Sequence, residues 1–371
     1  MWRHGPLRAL VFITCGAWFM NGCNGGSSPV KGTPTAAAVD AAPTTEHGPA
    51  EDAALAISLP SGAVAADASA SGAAGAVDAG QKPLDTEELA RRLFEDDPTT
   101  TYRVACPSAL AEAPRVSCFF ARRFSQDAAA RALAEELFAK FGVTAGVAPA
   151  HTMDGGFRGN ISLVPAPPEG AERKHLSWIV ASYKEFDAFF TALAARAGKA
   201  IPYRVNDVSF RFMRSIGRTT PSAYAENWRV SYNVAGSLLH SEDGVRDTLF
   251  HEIFHLNDQQ HGDWSPAALS HDVYDPIVKK CGTGMACLAP YAPNDTTVRG
   301  GTYYAFQQNN GLPVREYAAE LAVRYEKEHR AVLAGKPPKK PWKCITPENG
   351  VAWARIRDEF FAGADLTPSC P

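Results

Sequence analysis

The sequence predicts a domain of the α+β class that begins near Leu84 and continues to the C-terminus. Short apolar or alternating segments, which are typical of strands, fall between residues 160 and 234. Segments with helix caps and helical periodicity flank them and dominate the C-terminal half. The 371 residues are 45% hydrophobic, which is enough for one large domain or two ordinary ones.

The expected helices are defined by capping residues at their starts and by glycines at their ends. Capping boxes open the first and the third helix, Ser241 caps the fourth, and Pro313 suits the first position of the fifth. Glycines close five of the six. In chain order the expected helices cover residues 85–95, 125–140, 182–198, 241–262, 313–335 and 346–363.

Four segments are candidate strands. Asn160–Val164 and Leu176–Ala181 are short apolar runs bounded by polar residues. The segment 208–212 alternates apolar and polar residues, and so does Trp228–Val234, which is the strongest strand signal in the chain. We therefore expect a small mixed sheet that lies ahead of the helix over residues 241–262.

The N-terminal residues have the layout of an export signal. Basic residues precede an apolar stretch over residues 7–20, and Met20 to Cys23 resembles a bacterial lipobox. An ordinary cleaved signal with an incidental cysteine is the alternative. Residues 24–83 are rich in Ala, Gly, Ser, Thr, Pro and Asp and are expected to form a disordered tether. The sequence thus predicts export and a lipid anchor in the cell envelope, with an outer membrane or cell surface favoured.

Composition and cysteine usage agree with an exported protein. Setting aside the two N-terminal cysteines leaves six, an even number that favours three disulfides. The local pairs 106–118, 281–287 and 344–370 close the shortest loops, although 15 pairings of six cysteines are formally possible. The balance of 37 basic and 40 acidic residues lacks the footprint of nucleic-acid binding. No apolar run after the signal has the roughly 20 residues of a membrane span, which argues against a multi-pass membrane protein.

A metal-binding pattern lies within the fourth expected helix. Residues 251–255 read His-Glu-Ile-Phe-His, so His251 and His255 project from one helical face about 40° apart. Two imidazoles in this arrangement can bind one ion, and Glu252 can reach water bound to that ion. A helix with two satisfied histidines is the alternative, but the apolar residues on two sides of this helix indicate that it is buried.

These residues resemble the zincin family of zinc metallopeptidases. The resemblance implies a two-subdomain fold, with a small mixed sheet and helices above a cleft and a mainly helical part below it. Mapped onto this chain, the upper subdomain covers about residues 100–262 and the lower one about residues 263–371. The same resemblance makes the strand over Trp228–Val234 the edge strand along which an extended substrate lies.

The third ligand distinguishes two branches of the family, and two candidates exist. His261 would complete a pattern similar to that of metzincins, with Met285 as the later methionine, but Asp258 replaces the glycine at which metzincins turn. If the helix continues past Asp258, His261 lies about 9 Å beyond His255 along the axis and cannot reach the ion. The first candidate therefore depends on a turn at residue 258.

Glu316 is the second candidate. It shares a helix face with Glu320, and this segment is similar to one in lethal-factor-type peptidases of the gluzincin branch. By that resemblance Glu316 binds zinc and Glu320 orients a ligand histidine. The alternative is that Glu316 and Glu320 simply form an acidic, solvent-exposed face of the helix.

Such a site would hydrolyse peptide bonds with Zn²⁺ as cofactor and Glu252 as general base. Tyr303 and Tyr304 are candidate donors to the oxyanion, as is His240 with weaker grounds, and both tyrosines are equally compatible with a place in the core. The expected partners are a peptide or protein substrate and, through the anchor, a membrane. The alternatives are a binding protein that contains zinc without catalysing a reaction and an amidase that acts on cell-wall peptides.

Overall fold

The computed structural model describes residues 84–155, 159–298, 301–307 and 312–371. The predicted signal, the lipidation site at Cys23 and the tether over residues 24–83 lie outside these residues. Helices and a curled sheet combine in the described part of the chain, which confirms the α+β class.

The helices are α1 (Thr86–Leu93), α2 (Tyr102–Ala105), α3 (Glu112–Arg123), α4 (Ala128–Phe141), α5 (Arg173–Ala197), α6 (Glu242–Gln260), α7 (Trp264–Leu269), α8 (Asp275–Cys281), α9 (Met285–Leu288), α10 (Pro313–Leu333) and α11 (Pro347–Phe360). The strands are β1 (Thr144–Val147), β2 (His151–Asp154), β3 (Asn160–Pro165), β4 (Ser209–Ser215), β5 (Ala223–Glu226), β6 (Arg229–Asn233), β7 (Thr297–Val298) and β8 (Thr302–Tyr303). The last two strands pair with each other.

The main sheet is organised around β4. Its strand order is β2-β3-β4-β6-β5, and β1 also pairs with β4. β6 runs parallel to β4 along one edge, while β1 and β3 share the other edge, β1 at Ser209–Phe212 and β3 at Met213–Ser215. The sheet therefore ends at β5 on the side that lies next to α6.

Alternation along β4 and β6 directs aromatic residues to the helix-covered face of the sheet. Phe210, Phe212 and Tyr232 are fully buried there, and the Tyr183 ring of α5 lies 6.2 Å from the Phe210 ring between centroids. Behind α5, the ring of Phe250 continues the aromatic packing into α6. The sheet, α5 and α6 thus share one core, which holds α6 in place between the sheet and α10.

Most expected helices and three of the four expected strands are confirmed, but Leu176–Ala181 is helical and belongs to α5. Leu176, Ile179, Val180 and Tyr183 are buried at helical spacing, and a short apolar run alone does not distinguish a strand from a buried helix. Ser182 does not cap a helix. Its hydroxyl donates to the Trp178 carbonyl oxygen inside α5 at 2.8 Å.

The prediction that Trp228–Val234 forms an edge strand is wrong in one respect. β6 does occupy Arg229–Asn233, but β5 covers its outer side in antiparallel register. A two-residue connection, Asn227 and Trp228 at positive φ, joins the two strands. The edge strand next to α6 is therefore β5.

The six cysteines of the domain form the three local pairs that close the shortest loops. Cys106 pairs with Cys118, Cys281 with Cys287 and Cys344 with Cys370. Among the helices of the described residues, none combines the length and the apolar character that crossing a membrane requires.

Candidate metal centre

Helix α6 carries the two histidines of the motif. It begins after Ser241, whose hydroxyl oxygen accepts a hydrogen bond from the Gly244 N–H at 3.1 Å. A Cβ at Gly244 would lie 2.3 Å from the Leu238 carbonyl oxygen, so only glycine lets the preceding loop pass this closely. The helix ends at Gln260, and Gly262 follows at a φ of 77°. The expected start and end of this helix are confirmed.

His251 and His255 face each other on one side of α6. Their Nε2 atoms are 3.1 Å apart, and their rings are nearly perpendicular, with 4.8 Å between centroids. Phe250 and Phe254 are buried in the core and orient the helix. The spacing of four residues therefore brings two imidazole nitrogens to one point, as the sequence predicts.

Glu316 approaches the same point from the first turn of α10. Its Oε2 atom lies 3.2 Å from His251 Nε2 and 3.8 Å from His255 Nε2. Pro313 occupies the first turn of α10, where a missing N–H has no cost. Small residues that are fully buried allow close packing of this helix: Ala318, Ala319 and Ala322.

The three side chains fit a metal ion. Their ligand atoms all lie within 4.8 Å of one another. In a tetrahedral zinc site with bonds of 2.0–2.2 Å, ligand atoms are about 3.3–3.6 Å apart. The observed separations of 3.1, 3.2 and 3.8 Å bracket that range. His251, His255 and Glu316 could therefore hold one metal ion.

The charges of the centre support one another. Burial alone would raise the pKa of Glu316, but hydrogen bonds to both histidines and their charges hold it well below its usual range. Burial alone would lower the pKa of His251, yet Glu316 and Glu320 raise it well above the ordinary value. The protein thus places concentrated negative charge around two imidazoles, an environment that favours a cation.

Glu320 lies behind His251, on the side away from the metal position. Its Oε1 atom is 3.2 Å from His251 Nδ1. The Glu320 Oε2 atom accepts a hydrogen bond from Asn294 at 2.9 Å. Carboxylates in this position fix the tautomer and orientation of ligand histidines. Sequence reasoning missed Asn294, because no local pattern links it to residue 320.

Glu252 is next to the ligand His251 but is not a member of the metal group. Its side chain is largely buried, at 8% exposure, and burial raises its pKa. The charges of His251 and His255 act in the opposite direction and offset part of that rise. A carboxylate with a raised pKa beside a metal position can both accept and return a proton.

Tyr304 is the tyrosine that the structure brings to the centre. Its ring lies 5.7 Å from the His251 ring between centroids, and it shares a hydrogen bond with Glu316. Burial, together with the charges of Glu316 and Glu252, raises the pKa of Tyr304 far above its ordinary value, so the hydroxyl keeps its proton. Tyr303 instead packs against the core, and His240 is exposed in the loop before α6.

His261 packs against α11 and does not belong to the group formed by His251, His255 and Glu316. Its Nδ1 atom lies 2.6 Å from Glu359 Oε1, and its ring packs on Phe360. The chain does not turn at Asp258, whose buried carboxylate accepts hydrogen bonds from the backbone N–H and the hydroxyl of Ser265, both at 2.7 Å. The alternative with His261 as third ligand is therefore wrong, and with it Met285 loses its proposed place; Met285 begins α9.

No family profile, curated protein or solved structure matches this chain. The geometry of the described side chains alone therefore points to a metal centre. That geometry has three parts: the group formed by His251, His255 and Glu316 on α6 and α10, the buried carboxylate of Glu252 next to His251 in α6, and the ring of Tyr304 packed near His251.

Proposed function

We propose that this protein is a zinc-dependent endopeptidase of the gluzincin type, with a zincin-like two-subdomain fold. The observation that carries the proposal is the convergence of His251, His255 and Glu316, with Glu252 adjacent. In this proposal the upper subdomain, about residues 100–262, supplies the histidines on α6. The lower subdomain, about residues 263–371, supplies the glutamate on α10.

The donor set favours zinc among the common metals. Two imidazoles and one carboxylate match the preference of Zn²⁺, whereas Mg²⁺ and Ca²⁺ prefer oxygen ligands alone. Three protein ligands are typical of catalytic zinc sites, which keep a fourth position for water or substrate. Structural zinc sites usually have four protein ligands. The number of ligands therefore supports a catalytic centre.

The side chains around the ligand group suit peptide hydrolysis. A bound zinc ion would supply Lewis acidity that activates water and polarises a carbonyl group. Glu252 would accept the proton of the attacking water and deliver it to the leaving nitrogen, a role that its raised pKa supports. The hydroxyl of Tyr304 would donate a hydrogen bond to the oxygen on which negative charge develops.

The edge strand β5 supports an extended peptide as substrate. It is the last strand of the sheet on the side of α6. Its pairing with β6 occupies one edge of its backbone. A substrate that adds as a further strand would gain backbone hydrogen bonds along the other edge. This mode of binding favours an endopeptidase over an enzyme that recognises only a chain end.

We further propose that the domain works outside the cytoplasm, attached through Cys23 to a membrane. Three disulfides in the described residues support an oxidising compartment. The sequence before residue 84 has the composition of a signal and a tether. Labelling of the expressed protein with a fatty-acid analogue tests the anchor, and Cys23→Ser is expected to abolish the label. Label that persists in Cys23→Ser would contradict it.

The proposed activity is tested by metal analysis and peptide digestion of the purified domain. We expect about one zinc per chain in the wild type and in Glu252→Gln. Cleavage should fall about 100- to 10,000-fold in Glu252→Gln, because the variant cannot take up the proton of water. Mass spectrometry of a mixed peptide library measures the cleavage.

A matched control comes from the same helix. Glu242 is exposed in the first turn of α6, so Glu242→Gln should keep both zinc and activity. Zinc in the wild type without cleavage of any peptide would contradict the endopeptidase and favour a zinc-containing binding protein. Cleavage only of cell-wall peptides would favour an amidase. Absence of bound zinc would contradict the proposed centre itself.

A further inference from the structure

Asn294 makes two hydrogen bonds to one residue of the proposed centre. Its side-chain amide donates to the backbone oxygen of Glu320 at 2.8 Å and to Oε2 of the same glutamate at 2.9 Å. Asn294 is 8% exposed, so water competes little for these bonds. One amide group thus ties the side chain of Glu320 to its own backbone.

This arrangement leaves one defined oxygen of Glu320 for the metal ligand. Because Oε2 is engaged by Asn294, Oε1 faces His251 Nδ1 at 3.2 Å. A proton on Nδ1 of His251 leaves Nε2 with its lone pair directed toward His255 and Glu316. The amide of Asn294 therefore acts on the metal position through two intervening side chains.

The loop that carries Asn294 is itself held in place. Asn349 donates to the Pro290 carbonyl oxygen at 2.9 Å, and the Trp342 indole N–H donates to the Ala292 carbonyl oxygen at 3.0 Å. Arg324 reaches the Pro293 carbonyl oxygen at 3.3 Å. These donors come from α10 and from the region around α11.

We infer that Asn294 is a positioning residue that raises the affinity of the centre for zinc by fixing Glu320 against His251. The inference rests on the proposed function, because it requires that His251 bind the metal. A glutamate side chain loses considerable rotamer freedom on being fixed, which costs free energy. Asn294 fixes the side chain before the metal arrives, so metal binding need not supply that cost.

The inference is tested by zinc affinity measured in competition with a chromophoric chelator. Partners of ligand histidines typically change metal affinity about 10- to 100-fold, and Asn294 lies one contact further away. We therefore expect Asn294→Ala to weaken zinc binding about tenfold. Asn233 provides the matched control. It is also buried and donates to the Ser215 hydroxyl oxygen and the Pro221 carbonyl oxygen in the sheet, so Asn233→Ala should cost stability without changing the affinity.

A double-mutant cycle separates positioning from a general structural role. In a Glu320→Ala background, Asn294→Ala should have no further effect on zinc affinity, because the carboxylate that Asn294 fixes against His251 is gone and only its bond to the backbone oxygen of residue 320 remains. Asn294→Asp, which keeps the shape but removes both donors, should weaken binding at least as much as Asn294→Ala. An unchanged affinity in both Asn294 variants, or an equal loss with and without Glu320, would overturn the inference while the centre stands. A wild type that binds no zinc would overturn the centre as well.

Discussion

The two halves of α10 carry similar side chains, but only the first half brings them to a common point with α6. The first half carries Glu316 and Glu320, whose partners are histidines. The second half carries Glu326 and Glu328, whose partners are arginines on the same helix. All four glutamates are largely buried, so burial alone does not distinguish the two halves.

The pKa shifts show what the partners change. Two histidines hold the pKa of Glu316 below its usual range although burial opposes this. Burial raises the pKa of Glu326 to about 6, and Arg330 and Arg246 offset only part of that rise. The first glutamate is thus kept ionised beside a place for a cation, whereas the second binds a proton more readily than an ordinary glutamate does.

In the second half of α10, Glu328 and His329 are each paired with neighbouring protein groups, and among the described residues their atoms do not converge on a place for an ion. Glu328 Oε1 accepts from the Arg324 guanidinium at 2.8 Å and from the Trp342 N–H at 2.9 Å. The Nδ1–H of His329 donates a hydrogen bond to the Tyr325 carbonyl oxygen at 2.7 Å, and His329 Nε2 lies 3.3 Å from Asp365 Oδ1. A cluster of acids and histidines therefore indicates a ligand only where the ligand atoms converge on one another.

The largest expected effect is the loss of stabilisation by zinc in Glu316→Ala. At zinc concentrations about 1,000-fold above the dissociation constant, a wild-type site gains about 4 kcal/mol of stability. We expect no such gain in Glu316→Ala, measured by thermal denaturation with and without zinc. His261→Ala should keep the full gain, because His261 pairs with Glu359. The reverse pattern in these two variants would contradict the assignment of the third ligand.

Asp365→Ala is expected to destabilise the fold by about 3 kcal/mol and to leave zinc affinity unchanged. Asp365 accepts hydrogen bonds from Lys343 at 2.7 Å and from the Trp353 indole at 2.9 Å, so its removal leaves a cation without its partner. Urea denaturation measures the change in the free energy of unfolding. Exposed Asp358 provides the control, and Asp358→Ala should stay within about 0.5 kcal/mol of wild type. A loss of zinc affinity in Asp365→Ala would show that the two halves of α10 are coupled.

A smaller effect is expected from Glu326→Gln, in the dependence of stability on pH. The pKa of Glu326 rises from 4.5 to about 6 on folding, so the folded state binds the proton more tightly. Its contribution is present in full below pH 4.5 and is lost as the pH rises through 6, by about 2 kcal/mol in total. Relative to Glu326→Gln, the wild type should lose that amount between pH 4.5 and 7.5 in urea titrations. Parallel pH profiles for the two proteins would contradict the raised pKa.

The sequence predicts best where the physical cause is local. Ser241 and Thr346 each accept a hydrogen bond from the N–H three residues later, and each opens a helix as expected. The histidine pair follows from the helical period alone. By contrast, the apolar run Leu176–Ala181 is too short to show a helical or an alternating period, so its sequence is compatible with a strand. Only its packing as part of α5 shows that it is helical.

Distant contacts decided the rest of the candidate site. The resemblance favours Glu316, but the 3.2 Å between its Oε2 atom and His251 Nε2 depends on how α10 packs on α6. The resemblance implies an edge strand over Trp228–Val234, whereas β5 is short and has no strong alternating pattern that would reveal it in the sequence. Asn294 has no sequence signal at all, since its role arises from a loop that is folded against α10.

By itself, then, the order of residues determined that one helix presents two imidazoles and a carboxylate, since spacing along a helix fixes direction. Only the tertiary structure decided which of two candidates, Glu316 or His261, comes close to them. The physical reason is that a helix sets the angles between its own side chains. What lies opposite those side chains depends on the packing of elements that are far apart in the chain.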